Sequence, residues 1–162
     1  VALMAGGKEA ALSDSEATAW GKGNIVPAEA RAHGDLRVLS IEQMERVEAE
    51  MVSIVQSGTL PHTTASIEFE HRYPPMSPTE ENESLLRLLS QASQDLGFGP
   101  VEAHDPGSRG AGDISFVAPI LPGLDGLGVN GKRSHAEGEY MLIDSFKPQT
   151  QRAALLLYRL TR

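Results

Sequence analysis

The sequence predicts a mixed α/β chain of the α+β kind. Two observations carry this. Residues 29–39 and 64–72 alternate apolar and polar side chains, whereas 41–57 and 78–96 repeat apolar residues at helical spacing. A third observation, the run Tyr73-Pro74-Pro75-Met76-Ser77-Pro78, breaks both periodicities. It divides the chain into a part reading strand, strand, strand, helix, strand and a part reading helix, strand, helix, loop, helix.

Each element has its own justification. Residues 1–6 and 17–22 are short strand candidates around the acidic hairpin tip Ser13-Asp14-Ser15-Glu16. Asn24-Ile25-Val26-Pro27 is a turn or a strand entry, because the proline biases Val26 to extended backbone. In 29–39, Ala30, Ala32, Gly34, Leu36 and Val38 share one side of a strand, and Arg31, His33, Asp35 and Arg37 the other. In 41–57, Ile41, Met44, Val47, Met51 and Ile54 form a helical stripe. Ser40 with Gln43 makes a capping box, and Gly58 is a stop. Residues 64–72 place Ala65, Ile67, Phe69 and His71 opposite Ser66, Glu68, Glu70 and Arg72.

Beyond the proline run, Ser77 as cap and Pro78 as first residue open a helix that Gly97 closes near Leu96. Its stripe is Leu85, Leu86, Leu88, Leu89 and Ala92. Residues 101–103 are a short strand. The glycine-rich 108–113 leads into a short helix over 114–118, and 119–131 is loop. A last helix from Pro148 carries Ala153, Leu156, Leu157 and Leu160.

Composition removes several functions. The chain has 162 residues, no cysteine and a formal net charge of −8. Without cysteine there are no disulfides, thiolate metal sites or cysteine nucleophiles. An acidic chain has no electrostatic basis for gripping phosphate backbones, so no nucleic-acid partner is expected. No apolar run approaches the ~20 residues of a membrane span.

Some residues could carry chemistry. His135, near Glu137 and Glu139, offers an imidazole to a metal; a lone loop histidine is more often simply solvated. The stretch Gly110-Ala111-Gly112-Asp113 could present N–H groups to an anion, or be a tight turn capped by Asp113. Arg37 and Arg72 would clamp a carboxylate if their strands pair. The plainer alternative is salt bridges to the many glutamates. Trp20 and the methionines read as packing groups.

Five motifs occur in one order: Asn24-Ile25-Val26-Pro27, Asp35-Leu36-Arg37, Gly110-Ala111-Gly112-Asp113, Gly126-Leu127-Gly128, and His135 followed by Glu139-Tyr140. In that order they resemble the metal-dependent exopeptidase and deacylase family of glutamate carboxypeptidase, acetylornithine deacetylase and succinyl-diaminopimelate desuccinylase. The resemblance covers nearly the whole chain, and the glutamate carboxypeptidase branch looks most similar. It implies a two-zinc α/β catalytic domain bearing a ferredoxin-like lid that often dimerises. Residues 1–73 would be the second half of the lid and 74–162 the C-terminal part of the catalytic domain.

The implied roles follow residue by residue. His135 matches a zinc ligand. Asn24 and Arg37 match lid groups that bind the substrate's carbonyl or carboxylate, and Arg72 resembles a second carboxylate-binding arginine. Gly110, Ala111, Gly112 and Asp113 match the pocket-lining loop, with no hydroxyl where the family often has threonine or serine. The implied substrate is a small peptide or N-acyl amino acid. In such a site the metal polarises the amide carbonyl and lowers the pKa of the attacking water to ~7. Co2+ or Mn2+ is as compatible as Zn2+ with one imidazole.

The family's other ligands, a His-x-Asp pair, a bridging Asp and a Glu-Glu pair containing the general base, lie upstream of the lid. The chain is expected to lack them. It begins at Val1 as if in mid-strand, and is expected to be the C-terminal portion of a longer enzyme, with no catalytic residue of its own and inactive alone. Two readings compete from other classes. One is a non-catalytic dimerisation or acidic-ligand binding module using Arg37 and Arg72; the other is an acidic scaffold. Localisation is not determined by these residues.

Overall fold

In a computed structural model, the described residues are 2–58, 60–108, 110 and 112–162. They form three short antiparallel pairs and three long helices, a mixed α/β architecture. The chain divides into two compact units, Val1–Val38 and Leu39–Arg162.

The first unit is all strand. β1 (Leu3–Gly7) pairs with β4 (Glu29–His33), and β2 (Glu9–Leu12) pairs with β3 (Ala17–Trp20). The hairpin tip at 13–16 is where the sequence predicts it, closed by Ser13 N–H donating to Glu16 O at 2.9 Å. Its first arm, however, is β2; the predicted strand 1–6 joins β4 instead. The tip residues are local, but which arm meets which strand is not. The register sets Leu3 opposite His33, so β1 offers nothing to Leu36 and Arg37. β4 therefore stops well short of the predicted residue 39.

One side chain ties the two ladders together. Glu29 accepts the Ala10 N–H at 2.7 Å and holds Arg31 at 3.2 Å. The Ala10 N–H, and after it Arg31, lowers the Glu29 pKa below the ordinary carboxylate value.

The second unit opens with α1 (Ile41–Ser57), where the sequence places it. Ser40 Oγ accepts the Gln43 N–H at 3.1 Å, and Gln43 Oε1 accepts the Leu39 N–H at 2.7 Å, so the capping box closes one residue further back than usual. Met44, Val47 and Met51 are half-buried, but Ile54 is 61% exposed and the helix buries no residue fully.

The predicted strand 64–72 forms no ladder. Ile67 and Phe69 are half-buried, as the alternation expects, and His71 Nε2 lies 2.7 Å from Glu48 Oε1 of α1. Side-chain alternation selects a face but supplies no partner strand, and none lies alongside among the described residues. Residues 101–103 likewise form no strand; the Val101 N–H donates to Ser90 Oγ at 3.0 Å.

α2 (Glu80–Asp95) starts two residues later than predicted. Thr79, not Ser77, is the cap, accepting the Asn82 N–H at 3.2 Å; Ser77 Oγ donates instead to Leu39 O at 2.9 Å. The helix ends with Gly97 at φ +80, a left-handed backbone that a glycine reaches without strain. The Phe98 N–H returns to Ser93 O and the Gly97 N–H to Gln94 O, satisfying the last carbonyls.

α3 (Ile143–Leu160) begins five residues before Pro148, which lies inside it. Ser145 Oγ donates to Leu142 O at 2.6 Å and accepts the Asn130 N–H at 2.9 Å, which closes the start without the proline.

The core sits where α2 and α3 pack. Leu89, Ala92 and Ser93 of α2 and Leu156 of α3 are buried. Ser93 Oγ donates to Gly99 O at 2.6 Å and accepts Arg152 Nε at 2.8 Å. Arg152 also donates to Gln149 Oε1 and lies over the Phe98 ring. Arg159 pairs with Asp95, and that contact together with Gln91 lowers the Asp95 pKa.

Two expectations follow. Leu156→Ala should cost the second unit about 2–5 kcal/mol, read as loss of helical circular dichroism in urea; an unchanged midpoint would mean the α2–α3 contact is not the core. The sole tryptophan, Trp20, lies in the first unit and all three helices in the second, so fluorescence reports the first unit alone. Because the folded Glu29 pKa is lowered, its contribution is present above the ordinary carboxylate pKa and lost as pH falls through the lowered value. An acid titration of Trp20 fluorescence should therefore show a step that Glu29→Gln removes. A step that survives the substitution would sink this assignment.

Candidate functional site

His135 stands in a loop between two short paired strands. β5 (Gly131–Lys132) and β6 (Tyr140–Met141) pair antiparallel and lift residues 133–139 between them. The loop is fastened to α3: Leu142 N–H donates to Asn130 O at 2.7 Å, and Gln149 Nε2 donates to Gly128 O at 2.8 Å. Arg133 and His135 both hold left-handed backbone, with φ of 64 and 61. Non-glycine residues in that region are strained, and such strain gathers at functional sites. Two turns hold them there, Ala136 N–H to Arg133 O and Glu139 N–H to Ala136 O.

The imidazole is exposed and makes no hydrogen bond to Glu137 or Glu139. No group of three histidine, aspartate or glutamate side chains that could hold a metal occurs among the described residues. His33-Gly34-Asp35 and Glu80-Glu81 have the letter spacing of the family's ligand pairs. The first begins on His33, the last residue of β4, and the second opens α2; among the described residues they build no such group. One imidazole does not constitute a catalytic metal centre, which takes three protein ligands per ion.

The glycine-rich loop is built from packing on both sides. Gly110, Gly112 and Asp113 are described; Ala111 lies outside the described residues. Gly112 begins a single 3-10 turn over Asp113–Phe116, one residue earlier than the short helix predicted over 114–118 and ending two residues sooner. The Asp125 carboxylate presses on Gly112, leaving no space for a Cβ. Asp113 does not cap the turn. Its carboxylate accepts the Tyr73 hydroxyl at 3.1 Å, and the Tyr73 and Phe116 rings lie 5.1 Å apart. That carboxylate, by hydrogen bond and then by charge, raises the Tyr73 pKa. On the far side, Asn82 Oδ1 accepts the Gly123 N–H at 2.9 Å. Ser115 is buried, and its hydroxyl has no hydrogen-bond partner among the described residues. Neither Tyr73 nor Asn82 is signalled by the motifs, because each reaches the loop across about forty residues of sequence.

The remaining expected residues are spread across the units. Asn24 and Arg37 are exposed in the first, Arg72 lies in the second. The strand pairing that would set Arg37 beside Arg72 is not formed: β4 pairs with β1, and 64–72 has no ladder. Arg72 Nε donates to Glu70 Oε1 at 2.9 Å, so its fork already holds a carboxylate of its own segment.

No curated protein and no solved structure gives a significant match to the chain. The family described as peptidase family M20/M25/M40 matches residues 8–159. That span takes in the Asn24 turn, the Asp35-Leu36-Arg37 stretch, the glycine-rich loop and His135. The chain thus belongs to the M20/M25/M40 family of metal-dependent peptidases and deacylases.

Proposed function

We propose that this chain is the C-terminal portion of a two-zinc hydrolase of glutamate carboxypeptidase type, cleaving an amide or peptide bond beside a free carboxylate. The family match across residues 8–159, which spans all five ordered motifs, carries this reading. In it, 1–73 belong to a lid that also dimerises and 74–162 to the catalytic domain.

His135 serves as one metal ligand, presented on the strained loop between β5 and β6. Because one imidazole falls short of a metal centre, the other ligands and the general base come from sequence preceding the lid, and the chain alone is inactive. Asn24 and Arg37 grip the substrate's carbonyl and terminal carboxylate, where a guanidinium offers a planar fork of donors. Arg72 takes part by exchanging Glu70 for the substrate carboxylate. Gly110, Ala111, Gly112 and Asp113 line the pocket. Placing the arginines on a lid couples substrate capture to exclusion of water.

The test uses an active enzyme containing this chain. His135→Ala should lower bound metal and take turnover below detection. Arg37→Ala should keep the metal and raise KM about tenfold or more, the worth of a hydrogen bond to a charged group. Full turnover in His135→Ala would refute the reading. The 162-residue chain by itself should hold no stoichiometric metal on elemental analysis after dialysis, and two retained ions per chain would equally sink it.

A further inference from the structure

We propose that Tyr73 is a positioning residue for the substrate loop: its hydroxyl holds the Asp113 carboxylate and its ring holds Phe116, so the segment leaving 64–72 sets where that loop lies. This rests on the reading of Gly110–Asp113 as pocket lining.

Asp113 and Phe116 are the first and last residues of the 3-10 turn, so Tyr73 grips both of its ends. Among the described residues, the loop is also braced from within, by Asp125 against Gly112 and Ile114 against Gly123. Two described side chains reach it from elsewhere. Asn82 of α2 fixes the Gly123 end, and Tyr73 fixes the Asp113 end.

The chemistry suits an adjustable hold. A phenol donating to a carboxylate makes a charge-assisted bond, stronger than a neutral pair. Tyr73 is 50% exposed, so water can replace either partner when the segment shifts. Pro74 and Pro75 follow directly, and their fixed φ angles give the chain little freedom to absorb a displacement of Tyr73. The raised Tyr73 pKa agrees with a carboxylate held against the hydroxyl.

The contact itself is tested on the chain as it stands, by titrating phenolate absorbance. Tyr73 should ionise late, above the ordinary phenol range. Tyr73→Phe should remove that late phenol, and Asp113→Asn should return it toward the ordinary phenol value. A late phenol that survives Tyr73→Phe, or that ignores Asp113→Asn, overturns the proposal. Positioning is tested in the active enzyme. Tyr73→Phe should raise KM about three- to tenfold while kcat stays within about twofold, as loss of one hydrogen bond predicts. Adding it to Asp113→Ala should bring no further loss. Additive losses, or equal losses in kcat and KM with a lowered melting temperature, mean a merely structural tyrosine and overturn the proposal. An enzyme whose unsubstituted form turns over no carboxylate-bearing amide refutes the hydrolase reading and with it the loop's role, while the titration still reports whether the contact exists.

Discussion

A single hydroxyl sits at the joint on which the second unit depends. Ser93 is fully buried where α2 meets α3, and it satisfies the Gly99 carbonyl while accepting the Arg152 guanidinium. A guanidinium brought to a buried joint is costly unless its donors are matched. Here Ser93, Gln149 and the Phe98 ring match it, and Arg159–Asp95 adds a second tie about two turns further along α3. Alanine at 92 lets the helices approach closely enough for that geometry.

Both candidate loops hang from this joint. The first turn of α2 presents Asn82 to Gly123, and the first turns of α3 present Ser145 and Gln149 to the 128–130 segment that leads to His135. The glycine-rich loop and the histidine loop are thus attached to opposite partners of one packed pair. The strain at Arg133 and His135 is sustained because β5–β6 pairing and the α3 anchor hold the loop at both ends.

Apolar faces remain uncovered elsewhere. α1 is amphipathic yet buries nothing fully, and 64–72 turns Ile67 and Phe69 inward without gaining a ladder. Ile120 and Ile143 are more than three-quarters exposed. In the proposed reading such surface is what the remainder of the lid and of the catalytic domain would cover, with hydrophobic burial as the driving force.

Features with local causes were legible in the sequence. Ser40, Gln43 and Gly58 mark both ends of α1, the tip at 13–16 lies where its residues put it, and the ordered motifs identify the family. Where two local solutions compete, as with Ser77 and Thr79 before α2, the one chosen follows from Ser77 finding Leu39 instead. It took the folded chain to bring β1 to β4, to leave 64–72 without a strand ladder, and to set Tyr73 and Asn82 against the glycine-rich loop. Side-chain periodicity states which face a segment buries; strand partners and long-range hydrogen bonds depend on which backbone is left free beside it, and no window of sequence contains that.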